Sequence, residues 1–305
     1  MVMNTEISKI NIRDYNYDLP DDRIAQYPLE TRDSSKLLIF KSGSLGQDIF
    51  INLANHIPDN SLIIFNETRV IHARLLFTKT SGTGIEIFCL EPLAPFRDHQ
   101  RALQQRESCE WKCLVGNSKR WKSGKLYLGP DHEPGNFQLV AERISLSDEG
   151  TSTIRFSWTP ASLTFAEILD TAGRVPLPPY IHRNPVAGDN VTYQTVYAKK
   201  DGSVAAPTAG LHFSEEVFAS LAAKNTDVLK FTLHVGAGTF KPVTAETIDG
   251  HAMHAEQVHM PLESLEKLRN SLQRPVIAVG TTTTRMLESL YWHGVRVIHG
   301  VSVAG

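Results

Sequence analysis

Hydrophobic and polar positions follow different rhythms in different parts of the chain. Leu62-Ile63-Ile64-Phe65 is an unbroken apolar run of strand length, which predicts a strand covered on both faces. Leu229, Phe231, Leu233 and Val235 alternate with Lys230, Thr232 and His234, which predicts a half-buried strand. Val276-Ile277-Ala278-Val279 predicts another buried strand, followed by a helix from Arg285 to Trp292. Ser162 is suited to cap a helix carrying Phe165, Ile168 and Leu169 that stops at Gly173. Ser214 is suited to cap a second, with Glu215 and Glu216 in its first turn, where acids favour the dipole. Leu265, Leu268 and Leu272 have helical spacing. Tyr17 to Pro20 reads as an extended stretch entering a short helix at Asp21. From about residue 162, strand, turn, helix and strand succeed one another. That order predicts a mainly parallel sheet or barrel with ligands at the strand C-termini.

Residues from about Thr78 to Thr151 have another texture. Ile85, Ile87 and Cys89 alternate with Glu86 and Phe88, and Leu126 and Leu128 flank Tyr127. Gly82-Thr83-Gly84, Ser123-Gly124, Gly129-Pro130 and Pro134-Gly135 punctuate short strands. We expect an all-β insertion there, a small antiparallel barrel or sandwich, with a polar loop or short helix between Ala94 and Glu110.

Composition narrows the class. The 305 residues suit one large domain or two ordinary ones, and 41% hydrophobic with 21% charged residues argues against global disorder. The three cysteines, Cys89, Cys109 and Cys113, cannot make a four-cysteine zinc site, and such low use suggests a reducing compartment. The N-terminus has no signal-peptide core, and no later apolar run is long enough to cross a bilayer, so a cytoplasmic location is expected. A net charge of −2 rules out a protein basic all over, not a local basic patch.

Three glycine-bearing turns are the first candidate chemistry. They are Ala205 to Phe213, His234 to Phe240, and Val279 to Arg285 with four consecutive threonines. Glycine lets backbone approach a ligand closely, and a helix start offers free N–H groups to a carboxylate or phosphate. One such turn is also what an ordinary capped connection looks like; three in one region point to a shared pocket. None matches the dinucleotide fingerprint or the P-loop.

Five of the 12 histidines fall between residues 212 and 259. His212 and His234 lie in or at the edge of glycine turns and are the candidates for proton transfer. His234 is expected to point away from the apolar face of its strand, free to meet a cavity. His251, His254 and Glu256 lack the H-E-x-x-H spacing, so no metal is expected. No G-x-S-x-G elbow supports a serine nucleophile, and the cysteines carry no reactive framework. Lys112, Lys119, Arg120, Lys122 and Lys125 cluster without acids among them, with Trp111, Trp121 and Tyr127 interleaved. Cations with flat rings fit nucleic acid, although taken alone a solvated charged face is the commoner origin of such a run. Arg69 and Arg74 would contact an anion or edge the sheet.

The segment Asn66-Glu67-Thr68-Arg69-Val70-Ile71-His72-Ala73-Arg74 resembles N-[DE]-T-R-V-x-x-A-R-L, and Gly173 to Ile181 resembles G-x-x-P-L-P-P-Y-I. Tyr193-Gln194-Thr195-Val196-Tyr197, Ala205 to Phe213, Thr232 to Phe240 and Gly280-Thr281-Thr282 continue in order. Across roughly residues 15 to 290 the chain is similar to the S-adenosylmethionine:tRNA ribosyltransferase-isomerases of the queuosine pathway. The resemblance implies an α/β fold: a barrel-like α/β catalytic domain, discontinuous over 1–77 and 152–305, with an inserted small all-β (β-barrel) domain over 78–151. It implies transfer and isomerisation of the ribosyl part of S-adenosylmethionine, a co-substrate, onto 7-aminomethyl-7-deazaguanine at the tRNA wobble position. The product is epoxyqueuosine. The partner would be a tRNA with a GUN-type anticodon carrying the deazaguanine precursor. The sequence does not give the oligomeric state, and a monomer is favoured.

On this reading His212 or His234 removes a C5′ proton beside the sulfonium and delivers one to adenine, with Glu256 as a further candidate. Substrate contacts are expected from Asn66, Arg69, Arg74, Pro207, Thr208, Ala209, Gly210, Gly236, Gly238, Thr239, Gly280, Thr281, Thr282 and Arg285. The turn from Gly280 to Arg285 would take the methionyl carboxylate. RNA phosphates are expected at Lys119, Arg120, Lys122 and Lys125. Family members usually continue past the G-T-T turn into a T-N-F-H-L-P segment and a final helix; here Val301 to Gly305 follow instead, and four threonines replace a more mixed string. A non-catalytic RNA-binding relative lacking part of the pocket is the second reading. An enzyme acting on a small phosphorylated metabolite is the third.

Overall fold

The computed structural model describes residues 9–79, 81–128, 137–147, 150–236, 238, 243–251 and 253–301. In chain order the strands and helices are β1 (Lys36–Lys41), β2 (Ser44–Ile49), β3 (Leu62–Asn66), β4 (Thr68–Val70), β5 (Arg74–Thr78), β6 (Gly84–Ala94), α1 (His99–Leu103), β7 (Ser108–Val115), β8 (Lys125–Leu128), β9 (Gln138–Leu146), β10 (Ser152–Thr159), α2 (Phe165–Ala172), β11 (Gly173–Arg174), α3 (Asp189–Thr192), β12 (Lys200–Ser203), α4 (Glu215–Ala222), β13 (Asp227–Leu233), β14 (Val258–His259), α5 (Leu262–Asn270), β15 (Val276–Ala278) and α6 (Thr281–Ile298). The architecture is mixed α/β. Among the described residues no helix is long and apolar enough to cross a membrane.

One sheet has the order β14-β13-β3-β15. β13 and β15 both pair with β3 in parallel, and β14 adds an antiparallel edge. The apolar run is unbroken because β3 has a core on each face. Ile63 and Phe65 pack with Phe50, Phe213, Val217 and Leu221, the last two from α4. Leu62 and Ile64 pack with Leu229, Phe231, Leu233 and Met286, the last from α6. Asn66 ends β3 and staples it to β13: its Nδ2 donates to Leu233 O at 2.9 Å, and its Oδ1 accepts from Leu233 N at 3.0 Å and Thr68 N at 3.2 Å. β4 and β12 form a short parallel pair. Gln194 fixes Val70 by two bonds, accepting from its N at 3.0 Å and donating to its O at 2.7 Å.

The second sheet is antiparallel, in the order β11-β5-β6-β7-β10-β9-β8. β8 comes back against β5, so the sheet curls around its own core. That core holds Trp111, Trp121, Phe156 and, from α2, Phe165, Ile168 and Leu169. The sheet spans residues 74 to 174; β10, β11 and all of β5 but Thr78 lie outside the expected range of 78–151.

Several elements differ from their sequence reading. The cap of α2 is Thr164, not Ser162; Thr164 and Glu167 form a reciprocal capping box, which satisfies two helix-start donors. Gly173 does follow this helix, but at φ −87°, so left-handed backbone is not its reason. A Cβ there would collide with the His72 and Leu169 carbonyls, so the position needs glycine for close approach. Leu272 lies beyond α5 and is exposed. α6 begins four residues earlier than expected, at Thr281. Thr232 is buried rather than solvent-facing, because the edge strand covers it: Thr232 pairs with His259. His234 is buried as well, its N donating to Gln257 O at 3.1 Å, and its ring faces a hollow as expected.

Candidate functional site

Where parallel β-strands end, their connections splay and leave a crevice. Here a hollow of about 340 Å³ opens at that edge. Pro207, Thr208 and Ala209 line it from the turn after β12, Val235 from the end of β13, and Gly280, Thr281 and Thr282 from the start of α6. Pro178, Tyr180 and Tyr193 supply a further wall. The three glycine turns therefore approach one another, the second through Val235. Gly280 has φ +83°, and a Cβ on it would lie 3.2 Å from the Ala209 Cβ.

The four threonines divide the work. Thr283 Oγ1 donates to Val279 O at 2.7 Å and Thr284 Oγ1 to Gly280 O at 3.3 Å, turning both hydroxyls onto their own helix. Thr281 and Thr282 are left to the hollow. The 18-residue α6 points its N-terminal end there, with first-turn N–H groups that have no intrahelical acceptor. An anionic group is the natural guest for such an end.

Glu256 anchors this corner. Its side chain is buried, and both oxygens are engaged: Oε1 with Gly236 N at 3.0 Å and His254 Nε2 at 3.0 Å, Oε2 with Arg285 Nη1 at 2.6 Å. Arg285 also donates to the His254 carbonyl. The second turn is thereby tied to α6. A Cβ on Gly238 would collide with the His254 ring, so that backbone lies directly on the imidazole.

The two candidate histidines face different spaces. His212 lines a neighbouring hollow of about 250 Å³ that shares Pro178, Tyr180, Tyr193 and Thr208 with the first. Its Nδ1 is 3.3 Å from the Arg32 carbonyl and its ring packs on Phe50. His234 lines a third hollow of about 490 Å³ with Lys200, Gln257 and His259. Its Nδ1 lies 2.9 Å from Thr68 Oγ1. Burial first, then the neighbouring His99, push its pKa down to about 3. It is neutral near pH 7 and a weak base.

Other expected contacts lie away from the 340 Å³ hollow. Asn66 is committed to Leu233 and Thr68. Arg69 is 3.6 Å from Asp201, and Arg74 is 3.5 Å from Glu86 on the curled sheet. Gly210 sits just past the lining turn, where a Cβ would collide with the Tyr197 hydroxyl. Thr239 lies outside the described residues. Tyr180 and Tyr193 went unread as pocket walls; the stiff Pro-Leu-Pro-Pro-Tyr run ahead of Tyr180 was the signal for them.

The basic stretch needs one correction. Trp111 and Trp121 are core residues, 0% and 1% exposed, so they offer no face to a base; of the three rings only Tyr127 is exposed. Lys119 and Arg120 sit on a short 3-10 turn, Ser118–Arg120, and Lys125 is 3.8 Å from Glu142. Among the described residues no three His, Cys, Asp or Glu side chains group as a metal site.

The family model described as queuosine biosynthesis protein matches residues 12–301. The chain is 37% identical over 285 residues to the S-adenosylmethionine:tRNA ribosyltransferase-isomerase of Desulfitobacterium hafniense, covering 92% of this chain and 77% of that one. The proteins of the same name from Natranaerobius thermophilus and Treponema denticola are each 38% identical, at the same coverage. A crystal structure of S-adenosylmethionine tRNA ribosyltransferase from Thermotoga maritima aligns at 26% identity and TM-score 0.39, over 91% of this chain and 73% of that one.

Proposed function

The chain belongs to the queuosine biosynthesis protein family, and from that premise we propose that it is an S-adenosylmethionine:tRNA ribosyltransferase-isomerase. The net reaction joins the ribosyl carbons of S-adenosylmethionine to the aminomethyl nitrogen of the wobble deazaguanine in a tRNA with a GUN-type anticodon. Adenine, methionine and one proton leave. The observation that carries the reading is the convergence of Pro207–Ala209, Val235 and Gly280–Thr282 on one hollow.

In this reading the methionyl carboxylate docks on the N-terminus of α6, taking hydrogen bonds from backbone N–H groups and from Thr281 and Thr282. The adenosyl part rests against Pro207 to Ala209 and the Tyr193 wall. Glu256 and Arg285 position the turn instead of moving protons, since they occupy each other. His212 is the base of choice: it borders the hollow next door, whereas His234, with its depressed pKa, holds a proton poorly at neutral pH. Lys119, Arg120, Lys122 and Lys125 meet backbone phosphates. The return of β8 against β5 supports reading the β-rich excursion as a small barrel domain beside a catalytic α/β domain. Three buried free thiols agree with a cytoplasmic setting.

Incubation with S-adenosylmethionine and tRNA bearing the deazaguanine precursor, followed by nucleoside mass spectrometry, tests the proposal. Epoxyqueuosine and free adenine are expected; their joint absence would overturn it. The RNA-binding-only reading has no observation in its favour.

A further inference from the structure

A transferase that joins two substrates must seat both within bonding reach of each other. The second substrate here is a base inside an RNA loop, and enzymes acting on such a base take it out of its stack into a pocket. The walls of the three hollows discriminate among them. The 490 Å³ hollow around His234 shares no lining residue with the 340 Å³ hollow of the glycine turns. The 250 Å³ hollow shares four, Pro178, Tyr180, Tyr193 and Thr208. These four residues therefore border both spaces.

The mouth of the 250 Å³ hollow carries flat, polar-edged groups. Tyr27 is 62% exposed and Tyr180 47% exposed. The Arg183 guanidinium lies 4.2 Å from the centre of the Tyr27 ring. It is held there by two 2.7 Å bonds to the buried Asp189, and its Nε donates to Gln26 O at 2.7 Å. Such a clamp fixes the guanidinium plane and, through it, the tyrosine face. Rigid aromatic and guanidinium planes are what unpaired bases stack on. The buried tryptophans of the basic stretch cannot do this.

We propose that the hollow bounded by Tyr27, Tyr180, Arg183 and His212 receives the unstacked wobble base of the tRNA, beside the nucleoside hollow. The assignment rests on the proposed activity for the identity of the RNA. It places the acceptor base next to His212 and leaves the His234 hollow out of the chemistry.

The test uses the full chain and an anticodon stem-loop RNA with 2-aminopurine at the wobble position or, separately, at a stem position. Binding should quench the wobble probe and leave the stem probe unchanged. Tyr27→Ala should lose most of that quench and weaken binding roughly 10-fold, the scale of one base–aromatic stack. Tyr27→Phe should restore both, and S-adenosylmethionine affinity by calorimetry should stay constant throughout. Tyr291→Ala, an exposed tyrosine on α6, is the control and should change nothing. Tyr27 is a surface residue, so its alanine variant should fold; Tyr180→Ala, at a residue that also borders the nucleoside hollow, is read by its quench alone. Unchanged quench in both alanine variants, or equal quench at both probe positions, would overturn the assignment. Quench without epoxyqueuosine formation on precursor tRNA would leave it standing and overturn the proposed activity. Turnover without wobble quench would do the reverse.

Discussion

The imidazoles of His99 and His234 stack with ring centroids 4.8 Å apart and planes tilted by 37°. His99 comes from α1 in the β-rich excursion and His234 from the end of β13, so this contact joins the two sheets' surroundings. Their outward nitrogens are partnered: His99 Nδ1 with Gln257 Oε1 at 3.0 Å, His234 Nδ1 with Thr68 Oγ1 at 2.9 Å. Gly202 makes the packing possible, since a Cβ there would lie 2.8 Å from the His234 ring.

Acid should therefore loosen the protein at this contact. Burial lowers the pKa of both rings, that of His234 to about 3, while Asp98 opposes the shift and His259 adds to it. Below the unfolded histidine pKa of about 6.5 the unfolded chain takes up protons that the folded chain refuses, so stability falls as pH drops from about 6.5 toward 3. The loss should reach a few kcal/mol. Urea unfolding of the wild type and of His234→Gln between pH 7 and 4 checks it; the variant's stability should depend less steeply on pH.

Replacing Gly210 with alanine should destabilise the fold by roughly 1–3 kcal/mol, because the added methyl meets the Tyr197 hydroxyl in a packed core. The displaced turn carries Thr208 and Ala209, so S-adenosylmethionine affinity should fall with it. Thermal unfolding and calorimetry on one preparation measure both effects.

Glu256→Gln should weaken S-adenosylmethionine binding about tenfold without a direct contact to it. The carboxylate holds the Gly236 amide and Arg285 together, and Arg285 is 30% exposed. The stability cost should sit at the lower end of the roughly 3–5 kcal/mol seen for broken buried pairs. A raised Kd at an unchanged pH profile of turnover identifies a positioning role; a shifted profile would point to proton transfer instead.

Neutralising Lys119, Arg120 or Lys122 should weaken tRNA binding and reduce the salt dependence, log K against log salt, by about one unit of slope for each phosphate that no longer meets a cation. S-adenosylmethionine binding should not respond. Filter binding across a salt series distinguishes this from a stacking interaction, whose removal would leave the slope intact.

Local patterns announced the parallel strands well. Leu62 to Phe65 is apolar throughout because each face of β3 meets its own core, and period alone carries that information. The Ser214 cap was equally plain, as its hydroxyl receives Val217 N at 3.3 Å. Thr232 misled because a two-residue edge strand buried it, and nothing near it in sequence reports on residues 258–259. Trp121 misled because its indole N–H is satisfied at 3.0 Å by the Gly124 carbonyl, which lets a residue in a basic stretch enter the core. The threonine run showed four hydroxyls; only helix geometry could say that two of them turn back.

Gly173 and Leu75 are cross-strand partners, so after about a hundred residues the path returns to roughly one strand spacing, ~4.8 Å, from its point of departure. Entry and exit are thus pinned side by side, as at the neck of a bag. Lengthening, trimming or redecorating the contents changes little about how the neck is tied. Selection can accordingly retune the β-rich excursion while the hollow of the glycine turns keeps its geometry, and, on the proposed assignments, a chimaera exchanging the span between those two strands should preserve small-molecule binding while altering which RNAs are held.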